Sequence, residues 1–150
     1  MEKITHTNTA TALHLSSLFQ FCIPFGNFIF PIVIWASYKD KSEFVDEQGK
    51  QVINFQLSLF IYSLILMLIS IPSILYYLFN SATVKHFGSS DFLIDNLNFA
   101  EISGGLVIAT IAILILCLIK TAEFFIIIYA AVKVSQGTRF KYPFTINFLK

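Results

Sequence analysis

Lys50, Asn54 and Ser58 recur at i, i+4 in a stretch that otherwise reads as apolar, and Lys120 and Glu123 stand three apart inside another apolar run. At 3.6 residues per turn the first set forms one polar stripe down a helix, and the second places an ammonium beside a carboxylate on one helix face. Ionisable groups in such runs mark an ion, proton or substrate path, or else neutralise each other and tie helices together. The second reading carries more weight here. Taking Phe44 opposite Lys133, an antiparallel register sets Asn54 against Glu123 and Leu57 against Lys120. The stripe is then expected to fix how two long helices align.

Other chemistry is poorly supported. His6, His14 and His86 lack metal-ligand spacing with Cys or with one another. Asp91 and Asp95, at i, i+4, read as a solvated helix face, and His14 reads as a polar residue on an amphipathic helix. No nucleophile elbow, phosphate loop or zinc helix motif occurs. The sequence predicts no enzyme, no catalytic residue, no metal and no cofactor.

The elements that must carry these side chains follow from composition. Of 150 residues 56% are hydrophobic and only 13% charged, with 17 Phe, against roughly 25% charged in soluble domains. An all-α integral membrane protein is expected, a single domain over 1–150 with the lipid bilayer as its solvent. A net charge of +1 provides no basic face for nucleic acid. Cys22 and Cys117 lie in apolar runs and behave as small hydrophobes. The amino end has no compact apolar core followed by a small-residue cleavage site, so it reads as retained.

Val52 to Phe79 is 28 residues without a charge, and about 20 cross a bilayer. Gly104 to Val132 supplies the partner, interrupted only by Lys120 and Glu123. Helical segments are expected at about 7–23, 27–38, 44–79 and 102–133, with an outer loop at 80–101. Gly137 stops the last helix and Pro143 prevents its resumption. The tail 134–150 alternates Phe, Tyr and Lys, which suits a headgroup-level position. The cations Lys39, Lys41, Lys50, Lys133, Arg139, Lys141 and Lys150 oppose only Lys85 in the outer loop. The loop at 39–50 and the carboxyl end are therefore predicted to be cytoplasmic.

Pro24, Gly26, Asn27 and Pro31 crowd one apolar stretch and break its helix. The break is a packed kink, a wet cavity of the transporter kind, or a plain connection between two short helices. In each case its free backbone groups need neighbours.

The order "LHLSSLFQFCIPFGNFIFPIVIWASYKDKSEFVDEQGKQVINFQLSLFIY" followed by "AAVKVSQGTRFKYPFTINFLK" resembles a bacterial family of small multi-pass membrane proteins related to the Tic-twenty subunit of the chloroplast inner-envelope import machinery. The resemblance rests on the Pro-x-Gly-Asn turn, the Pro-x-x-x-Trp run, Val-Asp-Glu-x-Gly-Lys before Asn-Phe-Gln, and the closing Gly-x-x-x-x-Tyr-Pro. It implies two short amino-terminal helices, broken at Pro24 to Gly26 and packed on a long antiparallel transmembrane hairpin, with both termini cytoplasmic. Lys120 and Glu123 depart from the apolar run usual in that family. The expectation is a non-enzymatic module of the bacterial inner membrane, a subunit or regulator of a larger complex linked to protein translocation or envelope biogenesis. Its partner would be another membrane protein or a second copy. The alternative is a small channel or carrier lined by the break and by Lys120 and Glu123.

Overall fold

The computed structural model describes residues 2–80 and 104–149; most of the expected outer loop, with His86, Asp91 and Asp95, lies outside them. Four α-helices follow in order: α1 (Glu2–Ser16), α2 (Gly26–Tyr38), α3 (Glu43–Asn80) and α4 (Gly104–Ser135). Short 3-10 turns occupy Ser17–Phe21 and Lys39–Lys41, and there is no strand among the described residues. Two helices are long and apolar enough to cross a membrane, over Glu43–Leu75 and Val107–Ser135. Only 11% and 17% of their most apolar stretches are buried, whereas a helix in the core of a soluble domain is mostly covered.

The chain divides into two units, Met1–Ile61 with Ile119–Lys150, and Tyr62–Leu118. Among the described residues of the second unit few side chains are covered. Ser70, Ala109 and Ala112 are buried, while Leu68, Ile111, Leu114 and Leu118 are exposed.

The first unit contains two buried clusters. Ala10 and Leu13 of α1 join Val45 of α3 and Val134 of α4, with Ile34 and Trp35 of α2 packed against them. Val52 and Phe55 of α3 join Ile127 and Ala130 of α4 and Tyr142 of the tail. The start of α3 thus clusters with the end of α4, and residues further along α3 cluster with residues further back along α4.

Local chemistry explains where the chain turns. Between α1 and α2 the carbonyl of Phe19 accepts from the amides of Cys22 and Ile23 at 3.0 and 2.9 Å, and Gly26 donates to Ile23 O at 3.0 Å. This turn satisfies its own backbone. Phe25 adopts a left-handed conformation, φ 62°, and Gly26 follows where a Cβ would come within 2.6 Å of Phe19 O. At the far end of α4, Gly137 has φ 77°. It donates to Val134 O at 2.9 Å while Thr138 donates to Lys133 O at 3.3 Å, the paired bonds that end a helix and reverse the chain.

Gly49 lets α2 approach α3. A Cβ at Gly49 would overlap the ring of Trp35, whose Nε1 donates to Asp46 Oδ1 at 2.9 Å. Alanine is the better helix former by about 1 kcal/mol, but overpacking costs about 1–3 kcal/mol. Set against that gain, Gly49→Ala is expected to lower stability in detergent by up to about 2 kcal/mol, read from the midpoint of chemical denaturation, and a raised midpoint would refute this contact.

Candidate functional site

Several side chains that break the apolar pattern in the first unit have specific partners, and most of these join a non-helical or short segment to α3 or α4. Gln20 lies in the 3-10 turn after α1. Its Nε2 donates to Glu123 Oε1 at 3.0 Å, and its Oε1 accepts from Lys120 Nζ at 3.1 Å. Lys120 Nζ also donates to Glu123 Oε2 at 2.9 Å. The three groups close a ring in which the carboxylate side chain is fully buried and the lysine is 45% exposed. Removing one partner of such a pair leaves the others unsatisfied. Because the lysine is half exposed and free to move, Glu123→Leu is expected to cost about 2 kcal/mol, less than a fully buried pair would. Equal unfolding midpoints for Glu123→Leu and the parent protein would contradict it.

Asn27, the second residue of α2, donates from Nδ2 to Gln56 Oε1 of α3 at 2.8 Å. Of the other residues at the break, Gly26 and Pro31 are buried while Pro24 is exposed.

Asn54 and Ser58 hold the tail. Asn54 Oδ1 accepts from the amides of Phe148 and Leu149 at 3.2 and 2.9 Å, and its Nδ2 donates to Leu149 O at 3.0 Å. Ser58 Oγ accepts from the amide of Ile146 at 2.8 Å and donates to Asn54 O at 2.7 Å. Both residues are buried. Asn54 and Glu123, opposed in the register read from sequence, do not bond each other. Lys50 lies apart from this group and pairs with Asp46 at 2.7 Å, while Glu47 pairs with Arg139 at 2.8 Å. These exposed ion pairs contribute little to stability.

His14, read from sequence as a residue of an amphipathic face, is fully buried. Gln48 Oε1 only accepts, so His14 Nε2 carries the proton and donates to it at 3.2 Å. Nδ1 then accepts from the Tyr142 hydroxyl at 2.7 Å. Gln48 Oε1 also accepts from the amide of Phe140 at 3.3 Å, and Tyr142 stacks on Phe55 with ring centroids 4.0 Å apart. Burial holds the imidazole near pKa 4, the hydrogen bond to Gln48 opposing only in part. Burial likewise pushes the Tyr142 phenol upward. Both groups stay neutral at neutral pH.

Sequence reasoning singled out Asn54, Ser58, Lys120 and Glu123 but missed Gln20, Gln48, Gln56, His14 and Tyr142 as their setting. Lone amides in "LFQFCIPF" and "NFQLS" were the available signal. Among the described residues no three His, Cys, Asp or Glu side chains converge as metal ligands. The arrangement ties the tail backbone and the short amino-terminal segments to α3 and α4.

No curated protein and no solved structure matches the chain. The resemblance to the Tic-twenty-like family is overturned by a family model, described as the magnetosome magnetite crystal formation protein family, that matches residues 5–149. Support for a role in protein translocation, which came from that resemblance, goes with it. A match from residue 5 to residue 149 of a 150-residue chain identifies it: this protein belongs to the MamF/MmsF family of magnetosome magnetite crystal formation proteins.

Proposed function

We propose that this chain is a non-enzymatic integral protein of the magnetosome membrane that takes part in magnetite crystal formation through helix contacts with membrane-protein partners or further copies of itself. The match over residues 5–149 carries the reading. A magnetosome is a membrane compartment in which a bacterium grows a magnetite crystal, so its proteins work against lipid on one side and mineral-forming solution on the other. The helices Glu43–Leu75 and Val107–Ser135, largely uncovered along their apolar lengths, supply two spans arranged as an antiparallel hairpin.

An aromatic and cationic belt supports the placement. Lys39 lies over Trp35, Lys41 over Tyr38 and Lys133 over Tyr129, at 5.3, 4.6 and 5.8 Å from the ring centroids. Amphipathic rings paired with cations mark a water-lipid boundary. In this reading the belt, residues 39–50 and the start of the tail lie on the cytoplasmic side. Residues 80–101 then face the compartment interior, where the crystal grows.

The test is deletion of the gene in a magnetite-forming bacterium, with a tagged copy restored. The tagged chain is expected to stay in the magnetosome membrane fraction after alkaline carbonate washing, and deletion to alter crystal size or number in electron micrographs. A chain released by carbonate, or unaltered crystals in the deletion strain, would overturn the proposal.

A further inference from the structure

Asn54 and Ser58 sit within the 28 uncharged residues Val52 to Phe79, where a polar side chain is costly unless something requires it. The tail requires it. After Gly137 reverses the chain, Phe140 N bonds Gln48, Tyr142 stacks on Phe55, Ile146 N bonds Ser58, and Leu149 returns to Asn54. The tail therefore descends along α3 from the level of residue 48 to that of residue 58, about 15 Å at 1.5 Å per residue, and turns back.

Its backbone is not helical over residues 139–149, so these amides lack the partners that a helix of their own would give. Irregular backbone is tolerated at membrane depth only where neighbours satisfy it, and side chains of α3 do so for Phe140, Ile146, Phe148 and Leu149. The depth fits. Trp35 of the aromatic belt bonds Asp46, and Ser58 lies twelve residues further along α3, about 18 Å, against half of a roughly 30 Å hydrocarbon core.

At the tip, Phe144 is 87% exposed with φ 55°. A bulky residue in the left-handed region is strained where glycine would not be. Ile146 and Phe148, next along the tail, are exposed as well.

We propose that the carboxyl tail is a re-entrant segment, not a headgroup-level one: it enters the bilayer alongside α3, is clasped there by Asn54 and Ser58, and presents Phe144 to lipid acyl chains near the bilayer middle. This rests on the membrane placement above, and its test separates the two. Trp35 is the only tryptophan, so Trp35→Phe with Phe144→Trp places a single probe at the exposed tip. The full chain is reconstituted in phosphatidylcholine and phosphatidylglycerol vesicles brominated either at mid-chain or near the headgroup.

The expected result is emission quenched about twofold more by mid-chain bromine than by headgroup-proximal bromine, and resistant to aqueous iodide, as a depth near the middle of the core dictates. Adding Asn54→Leu should reverse the order of quenching while far-ultraviolet circular dichroism keeps the helices. Quenching by iodide or by shallow bromine, in vesicles that still float with the chain, overturns the inserted tail and leaves the membrane placement standing. Deep quenching that survives Asn54→Leu overturns the clasp. A chain that does not float with vesicles overturns both.

Discussion

Replacing Asn54 by leucine is expected to lower the unfolding free energy in detergent by about 3–4 kcal/mol, since two tail amides and one carbonyl lose their partner and each unsatisfied group costs about 1–3 kcal/mol, partly recovered as the tail rearranges. The side chain is buried and bonds Phe148 N, Leu149 N and Leu149 O. Ser58→Ala removes one acceptor, from Ile146 N, and should cost about 1 kcal/mol. The ranking is the informative quantity. Asn54→Leu should also expose Phe140 to chymotrypsin, because the tail that carries it is no longer held. Equal stability for the two variants would contradict the assignment of Asn54 as the main clasp.

The second large effect is on pH. His14 titrates near 4 in the folded chain because burial disfavours its charged form, against 6.5 for the unfolded group. Between these values the unfolded state binds more protons than the folded state, so stability rises with pH across that window. The contribution is fully present above about pH 6.5, is lost as pH falls from 6.5 toward 4, and is constant below; it amounts to about 3 kcal/mol at 1.36 kcal/mol per pH unit. Denaturation curves from pH 7.5 to 3.5 should show this loss. Other carboxylates titrate in the same range, so the comparison with His14→Gln isolates the histidine. A variant that keeps the full slope would rule out His14 as its source.

The pH dependence also reports on the tail. The proton acceptor on His14 is Nδ1, which already accepts from the Tyr142 hydroxyl. Protonation turns Nδ1 into a donor and leaves a charge against the rings of Phe140 and Tyr142. Acid is therefore expected to loosen α1 and the tail together.

The helical class, the four helices and the two apolar ones were legible because each rests on a local signal. An uncharged run of 28 residues needs no knowledge of its neighbours, and Gly137 stops a helix wherever it stands. The meaning of the polar stripe was not legible. Spacing at i, i+4 shows that Lys50, Asn54 and Ser58 share a helix face, but not that Leu149, 95 residues from Asn54, would lie on it. Gln20 was hidden for a related reason: one amide among aromatic residues gives no period, and its partners are 100 and 103 residues away. His14 looked like a surface residue because its cover, Tyr142, comes from the far end of the chain.

The resemblance to the Tic-twenty-like family failed because its motifs are not specific to that family. The quoted motifs do structural work: Gly26 admits the carbonyl of Phe19, and Gly49 admits Trp35. Tyr142 covers His14. Such residues follow from how short helices pack on long ones, and packing residues by themselves identify neither a family nor a role.

The account depends on acyl chains, rather than water or protein, covering the exposed apolar residues of α4. Cys117 lies on that surface and is exposed, as is Cys22. A nitroxide attached at Cys117 in the Cys22→Ser chain, reconstituted in lipid vesicles, should collide often with oxygen, which concentrates in hydrocarbon, and rarely with a water-soluble nickel chelate. Frequent collision with the nickel chelate and little with oxygen would contradict the membrane placement.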